Sequence, residues 1–515
     1  MNTSEAVLRE LVDCGVEACF ANPGTSEMHL VASFDRVGGL RPILGLFEGV
    51  CTGAADGYAR MKDKPAATLL HLGPGLGNGF ANLHNAKRAH SRVINIVGDH
   101  ATYHRKYDAP LQSDIHSIAK PVSDWIGDPV TTSEAVRLAN EAVQVAMRPN
   151  GGLATMIVPA DIAWTTIDKT PPHRRVHVAC APVDKHKIKE AARALSSDKP
   201  KVLFVGGRVG LEKNLRLASA IAAKTGAKLI GDTFVPRTAR GRGRAKIDRL
   251  PYLGEMALAQ MTNFRECVLI GTKAPVAFFA YPEKPSTFLS PECNVHEPWS
   301  PDQDVGDVLE ALATELGAKP ADAILAQPTP VTIKPGAITA ENFGQAFTQL
   351  LPENAIVADE AVTAGLWAHI FSEGAAPHDW LTLTGGAIGY GIPISIGAAV
   401  ACPDRPVINL QADGSAAYTI QGLWTAAREN LHTITILFNN RSYAILNMEL
   451  DRVGATAQSE RSRSLLSLDK PTMDFTSIAK GFGVQAVRAT DIEVFQSAFK
   501  RAIAEPGPHL IECMM

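Results

Sequence analysis

Two polar residues near the carboxyl end of the chain have the type and spacing of ligands for one metal ion. Asp413 follows the apolar run 405–411, and Asn440 follows the apolar run 432–438. Both runs are rich in Val, Ile and Leu, which predicts two buried strands. If a helix crosses between them, the strands are parallel and both polar residues lie at the sheet edge where ligands bind. Their carboxylate and amide oxygens suit Mg²⁺, which prefers oxygen ligands and often binds the phosphate groups of a bound ligand as well.

The segment between these strands has an ordinary interpretation as well. Asp413, Gly414 and Ser415 carry turn chemistry, and the apolar residues from Ile420 to Leu431 recur at helical spacing. A turn and then a helix are therefore expected. A loop aspartate and an asparagine that caps a strand explain the same residues without a metal.

Glu48 and His71 are candidates for proton transfer in the first third of the chain. Glu48 stands in the otherwise apolar and small-residue run 44–60, where a carboxylate is expected to be partly buried and suited to proton work. His71 ends a predicted buried strand. A glutamate at a helix start and a structural histidine explain the same two residues.

Two glycine-rich segments follow predicted strands and open predicted helices. They are "LHLGPGLGNGF" (70–80) and "TGGAIGYGIP" (384–393). Glycines before a helix allow close approach of an anion, but they also allow tight helix packing. The first segment lacks the G-x-G-x-x-G spacing of dinucleotide sites.

The composition indicates a globular enzyme-sized chain without a nucleic-acid partner. Its 515 residues are 46% hydrophobic, and the net charge is −3, so no global field attracts nucleic acid. The eight cysteines include no C-x-x-C pair, which argues against a structural zinc site and favours a reducing cytoplasm. The charged, amphipathic N-terminus does not resemble a signal peptide, and the uncharged stretch 380–402 is expected to be a loop entering a buried helix, so no membrane partner is expected.

The chain divides into three blocks of domain size. Proline-rich segments at 168–186 and 318–339 are predicted linkers, which leaves domains at 1–167, 187–317 and 340–515. Each block alternates apolar runs with helical patterns, so the expected fold class is α/β, with a mostly parallel sheet flanked by helices in each domain. The basic cluster 237–249 could bind an anionic group, but base rates favour a solvated loop.

Taken together, the motifs resemble one enzyme family over all three blocks. They are, in order, "FANPGTSE", "FEGVCTGAADGYAR", "LHLGPGLGN", "VADEAVT", "TGGAIGYGIP" and "ADGSAAYTIQGLWTAARENLHTITILFNNRSYAIL". The set is similar to thiamine-diphosphate-dependent enzymes of the acetolactate synthase and benzoylformate decarboxylase group. The last motif is the family's cofactor signature, in which Ala412 replaces a glycine.

This resemblance implies a role for each site residue. Asp413, Asn440 and the Ser442 carbonyl would bind Mg²⁺ on the cofactor diphosphate, and Glu48 would hydrogen-bond the cofactor's aminopyrimidine ring. The other implied cofactor contacts are Thr25, Ile388, Gly414, Ser415 and Tyr443. The first domain would bind the pyrimidine and the last the diphosphate. In the family these domains meet across two subunits, which implies a homodimer at minimum and a homotetramer as the expected assembly.

The implied reaction is decarboxylation of a small 2-oxo acid, with two possible outcomes. Protonation releases an aldehyde, and His71 matches a histidine of benzoylformate decarboxylase. Attack on a second carbonyl is the acetolactate synthase outcome, and Gln112 resembles the synthases. Ala280 stands where the decarboxylase has a second histidine. Leu446 and Glu449 are expected beside the substrate.

Three alternatives stay open at this point. FAD is possible, although no residue set requires it. A dinucleotide oxidoreductase would need the 70–80 segment to bind the dinucleotide. A non-catalytic relative is disfavoured because Glu48, Asp413 and Asn440 are all present.

Overall fold

The computed structural model describes residues 1–167, 172–173, 176, 178–361, 363–455 and 459–515. Three sheets, one in each predicted block, are parallel at every described strand pair but one. The α/β fold class with mostly parallel sheets is therefore confirmed. Residues 168–171, 174, 175 and 177 of the first predicted linker lie outside the described residues.

The first block forms a six-stranded parallel sheet in the order β2-β1-β3-β4-β6-β5. Its strands are β1 (Ala18–Asn22), β2 (Arg41–Leu44), β3 (Ala66–Leu70), β4 (Val93–Asp99), β5 (Trp125–Gly127) and β6 (Leu153–Pro159). Its helices are α1 (Thr3–Asp13), α2 (Met28–Ser33), α3 (Glu48–Lys62), α4 (Leu72–Arg88), α5 (Ile115–Ala119), α6 (Thr132–Ala146) and α7 (Ala160–Trp164). Side-chain caps start the two long outer helices, because Asn2 accepts from Glu5 N and Thr131 accepts from Glu134 N.

The second block forms a five-stranded parallel sheet in the order β10-β8-β7-β11-β12. The strands of this block are β7 (Lys201–Val205), β8 (Lys228–Gly231), β9 (Arg237–Arg240), β10 (Asp248–Arg249), β11 (Glu266–Ile270) and β12 (Asn294–His296). Its helices are α8 (Lys185–Leu195), α9 (Glu212–Thr225), α10 (Gly254–Met261) and α11 (Val305–Leu316). β9 is not part of this sheet and belongs to the sheet of the third block.

The third block forms a seven-stranded sheet in the order β17-β18-β16-β15-β13-β14-β9. Its own strands are β13 (Ile356–Asp359), β14 (His378–Thr382), β15 (Val407–Ala412), β16 (Thr433–Asn439), β17 (Gln485–Ala489) and β18 (His509–Met514). Its helices are α12 (Ala340–Leu350), α13 (Gly365–Phe371), α14 (Gly391–Ala401), α15 (Asp413–Thr419), α16 (Gly422–Arg428), α17 (Ala444–Arg452), α18 (Glu460–Arg463), α19 (Phe475–Gly481) and α20 (Ile492–Ala504).

The expected parallel pair is confirmed, but the connection between its strands differs from the prediction. β15 and β16 pair in parallel from Val407 opposite Thr433 to Ala412 opposite Phe438. The turn predicted at Asp413 is wrong, because α15 begins at that residue directly after the strand. Two helices, α15 and α16, replace the single predicted helix.

The expectation of a solvated loop over the basic cluster 237–249 is wrong at its first residues. Arg237–Arg240 is strand β9, which pairs antiparallel with β14. Arg240 is buried and donates to the His369 carbonyl at 2.7 Å, and Arg237 forms an ion pair with Asp379 at 2.9 Å. Both arginines thus find acceptors at the sheet edge, although Nε of Arg240 has no hydrogen-bond partner among the described residues.

The uncharged stretch 380–402 is a strand end, a loop and a buried helix, as expected. β14 ends at Thr382, and α14 is buried along nearly its whole length. Among the residues that the structure describes, every helix is too short or too polar to cross a bilayer.

Helix α14 packs against α3 of the first domain with the two backbones in contact. A Cβ atom at Gly397 would overlap the Ala54 carbonyl oxygen, and one at Gly57 would overlap the Ile394 carbonyl oxygen. Apolar residues of α3, α4 and α14 belong to one buried cluster that joins the first and third domains. The orientation of the two domains therefore depends on glycines in both helices.

We expect Gly397→Ala to destabilise the protein, because α14 must move away from α3 to fit the new methyl group. Overpacking of this kind costs about 1–3 kcal/mol, so differential scanning calorimetry should show a lower unfolding midpoint. Gly481→Ala is the matched control, since a Cβ atom there has nothing within 4 Å. An unchanged midpoint for Gly397→Ala would contradict the close packing.

Candidate active site

The structure brings Asp413, Asn440 and Ser442 together at the carboxyl edge of the third sheet. Asp413 begins α15 after β15, and Asn440 follows the neighbouring strand β16. Asp413 Oδ2 accepts from Arg441 N at 2.6 Å, and Asn440 Oδ1 accepts from Ser442 N at 2.9 Å. Burial raises the pKa of the Asp413 carboxyl, so a cation beside it would favour the charged form. This is a compact set of hard oxygen donors.

Gly414, Ser415 and Tyr443 line the same junction. Gly414 N donates to Asp413 Oδ1 at 2.7 Å, and the Tyr443 ring lies directly against Gly414. Ser415 is buried in the first turn of α15. The Gly414 backbone N–H and the Tyr443 ring therefore border the Asp413 carboxylate.

Glu48 and His71 are neighbours in the first domain. Glu48 is the first residue of α3, is 8% exposed, and accepts from Asn78 Nδ2 at 3.0 Å. His71 caps α4. A Cβ atom built at Gly75 would lie 3.0 Å from Glu48 Oε1 and 3.4 Å from His71 Cβ. The first turns of α4 thus hold the two candidate proton carriers side by side.

A buried carboxylate, Glu27, orients the imidazole of His71. His71 Nδ1 lies 2.7 Å from Glu27 Oε2, which also accepts from Gly24 N at 2.7 Å. Burial raises the pKa of Glu27, while its bonds to Gly24 and His71 oppose that shift. With the proton on Nδ1, Nε2 of His71 has no hydrogen-bond partner among the described residues and can exchange a proton with a ligand.

Gln112 also lies beside α4. It is half-buried, and its Oε1 atom is buried without a hydrogen-bond partner among the described residues, as is Oγ of Ser113. Ser113 Oγ packs against Gly73 in the first turn of α4. Polar atoms of this kind are expected where a ligand supplies the missing partner.

Ile388 lies in the loop between β14 and α14, and two asparagines of α4 hold that loop. Asn82 Nδ2 donates to the carbonyls of Gly389 at 3.0 Å and Gly49 at 2.9 Å. Asn85 exchanges two hydrogen bonds with the Ala387 backbone, at 2.8 and 3.1 Å. The residue after Glu48 and the residue after Ile388 are therefore bridged by one side chain.

Glu360 holds the other side of this loop. Its carboxylate is buried and accepts hydrogen bonds from the backbone N–H groups of Gly389, Tyr390 and Gly391, at 2.6 to 3.1 Å. Burial raises the pKa of Glu360, and these hydrogen bonds oppose the shift. The conformation of the loop that carries Ile388 is thus determined from both domains.

The central domain reaches the same loop. The Phe278 ring packs on Gly386, where its Cζ atom would lie 2.6 Å from a Cβ. Ala280, two residues further on, is exposed. The Tyr281 hydroxyl donates to Glu449 Oε2 at 2.8 Å, which joins the central domain to α17. Leu446, also on α17, is 44% exposed.

The structure assembles two groups of site residues and a loop between them. No hydrogen bond or ion pair among the described residues joins Asp413 to Glu48 or His71. Thr25 is exposed in the turn before α2 and has no side-chain hydrogen bond in the described part of the chain.

Sequence reasoning missed Glu27, Asn78, Asn82, Asn85 and Glu360. Glu27 and Glu360 each follow a short apolar run in the quoted motifs "FANPGTSE" and "VADEAVT". Glu360 directly follows the buried strand β13, a position that could have identified it, whereas Glu27 lies five residues past the end of β1. The asparagines stand at helical spacing on α4 and carry no such signal.

Two family models match the chain. Residues 1–120 match the N-terminal TPP binding domain of thiamine pyrophosphate enzymes, and residues 361–513 match the C-terminal TPP binding domain. Together these matches include both groups of site residues and the loop.

Relatives match over nearly the full length. A Mycobacterium tuberculosis protein provisionally named acetolactate synthase large subunit IlvX is 47% identical, covering 100% of this chain and 99% of that protein. Benzoylformate decarboxylase of Pseudomonas aeruginosa is 28% identical, covering 97% of this chain and 96% of that enzyme. The solved structure of a thiamine diphosphate-dependent 4-hydroxybenzoylformate decarboxylase from Rhodococcus jostii has the same fold, with a TM-score of 0.86 at 24% identity, covering 100% of this chain and 99% of that chain.

We expect Glu360→Gln to loosen the loop that leads into α14. The amide offers one acceptor oxygen where the carboxylate offers two, and hydrogen bonds to charged groups contribute roughly 1.5–3 kcal/mol each. Hydrogen–deuterium exchange followed by mass spectrometry should be faster in peptides that contain residues 389–391. Glu353→Gln, whose side chain is 65% exposed, should leave exchange there unchanged. Equal protection in both variants would remove Glu360 from this role.

Proposed function

Because the chain belongs to the thiamine pyrophosphate enzyme family, we propose that it decarboxylates a small 2-oxo acid without oxidation and releases an aldehyde. Within the family it belongs to the acetolactate synthase and benzoylformate decarboxylase group. Thiamine diphosphate with Mg²⁺ is the cofactor of this family and of this chain. FAD stays an open possibility that no described residue requires.

The donor chemistry of the third domain fits a magnesium diphosphate. Asp413 and Asn440 provide one carboxylate and one amide oxygen at the ends of neighbouring strands, and Mg²⁺ prefers such oxygen ligands. In the proposal these two side chains and the Ser442 carbonyl bind the metal. The diphosphate lies against Gly414 and Ser415.

The remaining cofactor contacts are proposed to come from the loop that carries Ile388 and from residues on both sides of it. Ile388 supports the cofactor's bent shape, while Thr25 and Tyr443 contact its ends. Glu48 shares a proton with the aminopyrimidine ring, for which its buried position at the start of α3 is suited. When bound, the cofactor supplies the electron sink that allows CO₂ to leave a 2-oxo acid.

The His71–Glu27 pair is the observation that carries the decarboxylase proposal. Glu27 holds Nδ1 of His71, so that Nε2 is the nitrogen left to deliver a proton. With a proton on both ring nitrogens, the imidazole could deliver the Nε2 proton to the reacting carbon when the cofactor is bound, and aldehyde release requires such a transfer. Gln112, whose Oε1 lacks a partner among the described residues, would orient the substrate by donating from its amide nitrogen.

A second candidate function is acetolactate synthase-type carbon–carbon bond formation. Ala280 is a small, exposed residue beside the Phe278 contact with the loop, so the central domain places no acid or base at that position. The name of the M. tuberculosis relative favours the same outcome. In this reading Leu446 and Glu449 border the second carbonyl substrate.

The proposed assembly is at least a homodimer, with a homotetramer as the full form. Large apolar side chains are exposed around the site, including Leu46 at 45% and Tyr418 at 53%. A partner subunit that covers them would also exclude water from the reaction. A cytoplasmic location is proposed as well, and it is consistent with the eight free cysteines.

Asp413→Ala should abolish measurable cofactor binding while the circular dichroism spectrum stays unchanged. The variant loses a charged metal ligand. Substitution of residues that only hydrogen-bond to metal ligands already weakens metal binding by about 10- to 100-fold. Isothermal titration of thiamine diphosphate in the presence of Mg²⁺ measures this loss. Asp404→Ala, at an exposed turn of the same domain, is the control. Normal affinity in Asp413→Ala would rule out the metal assignment.

His71→Ala should lower the yield of aldehyde more than it lowers consumption of substrate. Proton transfer by a positioned side chain is typically worth about 10²–10⁴-fold, so its loss should increase the share of carboligation products. Chromatography of products from pyruvate and from aromatic 2-oxo acids measures the partition, and Glu27→Gln should shift it in the same direction. If the wild-type enzyme converts pyruvate almost entirely to acetolactate, the synthase reading replaces the decarboxylase reading.

A further inference from the structure

Three potential metal ligands meet on the outer face of the first domain, away from the candidate active site. Glu10 lies on α1, and Cys14 follows the last residue of that helix, about one turn further on. His173 belongs to the segment that follows the first domain. Glu10 Oε1 lies 3.0 Å from His173 Nδ1 and 3.6 Å from Cys14 Sγ. The three ligand atoms all lie within 4.8 Å of one another.

Two of these separations, from Glu10 Oε1 to His173 Nδ1 and to Cys14 Sγ, are close to the edges of a tetrahedral zinc site. Zinc binds carboxylate oxygen and imidazole nitrogen at about 2.0–2.2 Å and thiolate sulfur at about 2.3 Å, so the tetrahedral edges are about 3.3–3.6 Å. The observed oxygen–nitrogen and oxygen–sulfur distances are within a few tenths of an ångström of these values. One ion could therefore bind all three side chains with small movements.

Asn140 of α6 supports two of the three ligands. Its Nδ2 atom donates to Glu10 Oε1 at 2.6 Å and to Cys14 Sγ at 3.4 Å, and Gln144 donates to its Oδ1 at 2.7 Å. Hydrogen bonds of this kind orient metal ligands. Glu10 is only 6% exposed, so its carboxylate has little freedom to move away from the other two ligands.

A groove beside the cluster leaves room for a fourth ligand. Its volume is ≈ 340 Å³, and Glu10, Asn140, Gln144 and Pro172 are among its lining residues. Water can enter this groove and complete a tetrahedron.

We propose that Glu10, Cys14 and His173 bind one Zn²⁺ ion or a similar borderline divalent cation. Mg²⁺ does not suit this site, because it prefers oxygen ligands alone. On binding, the Cys14 thiol loses its proton to solvent, and His173 coordinates as the neutral ring. The ion ties the segment after the first domain to α1.

This site is distinct from the candidate active site, because the proposed magnesium ligands lie in the third domain at α15 and after β16, and Glu48 and His71 lie at the starts of α3 and α4. α1 and α6 pack in the apolar cluster on one face of the first sheet, whereas α3 and α4 pack in the cluster on the other face. Metal binding at Cys14 can therefore be measured with the active site already filled.

The test is a titration of Co²⁺ into the full-length protein saturated with Mg²⁺ and thiamine diphosphate. Co²⁺ replaces Zn²⁺ in tetrahedral sites, and a bound thiolate produces a charge-transfer band in the near ultraviolet. We expect the band to saturate at one Co²⁺ per chain and to disappear when Zn²⁺ is added. Cys14→Ser should remove the band, and His173→Asn should weaken Co²⁺ binding at least about tenfold.

Matched controls separate this site from general thiol and histidine binding. Cys180→Ser and His186→Asn alter an exposed cysteine and a histidine whose side chain is 81% exposed, and both should keep the band. Absence of the band in the wild-type protein overturns the proposal. So does a band that survives in Cys14→Ser or is lost in Cys180→Ser.

Discussion

The contact between α3 and α14 is the constraint on which the geometry of the site depends. α3 begins with Glu48, and α14 begins directly after the loop that carries Ile388. The backbones of the two helices touch at Gly57 and Gly397, so neither helix can slide or turn without a steric clash. A fixed helix pair therefore places Glu48 of the first domain relative to the loop of the third domain that carries Ile388.

Two buried carboxylates fix the positions of individual groups within this rigid packing. Burial raises the pKa of both Glu27 and Glu360, which shows that each is held against a desolvation cost. Each is retained by several hydrogen bonds, Glu27 to Gly24 and His71 and Glu360 to the loop backbone. Charges placed this way orient their partners without needing to react themselves, as expected for groups that preorganise an active site.

In the proposed reaction, the choice between aldehyde release and carbon–carbon bond formation would depend on which groups reach the reacting carbon. The first domain supplies an oriented imidazole, His71. The central domain packs Phe278 against the loop at Gly386, and Ala280, two residues further along the chain, is exposed. If His71 is the single proton donor, as proposed, both outcomes are open to the site, and relatives of both names match over nearly the full length.

The sequence by itself determined the three-domain α/β class and the Asp413–Asn440 pair, because strand periodicity and parallel pairing are local patterns that place residues at one sheet edge. Only the tertiary structure decided that β9 pairs with the third sheet and not with the sheet of its own block. An edge strand pairs with whichever neighbouring strand can satisfy its backbone hydrogen bonds. The tertiary structure also decided the pairing of Glu27 with His71 and the meeting of Cys14 with a histidine far along the chain. Such contacts join residues from different elements, and no periodicity in the sequence records which elements will pack together.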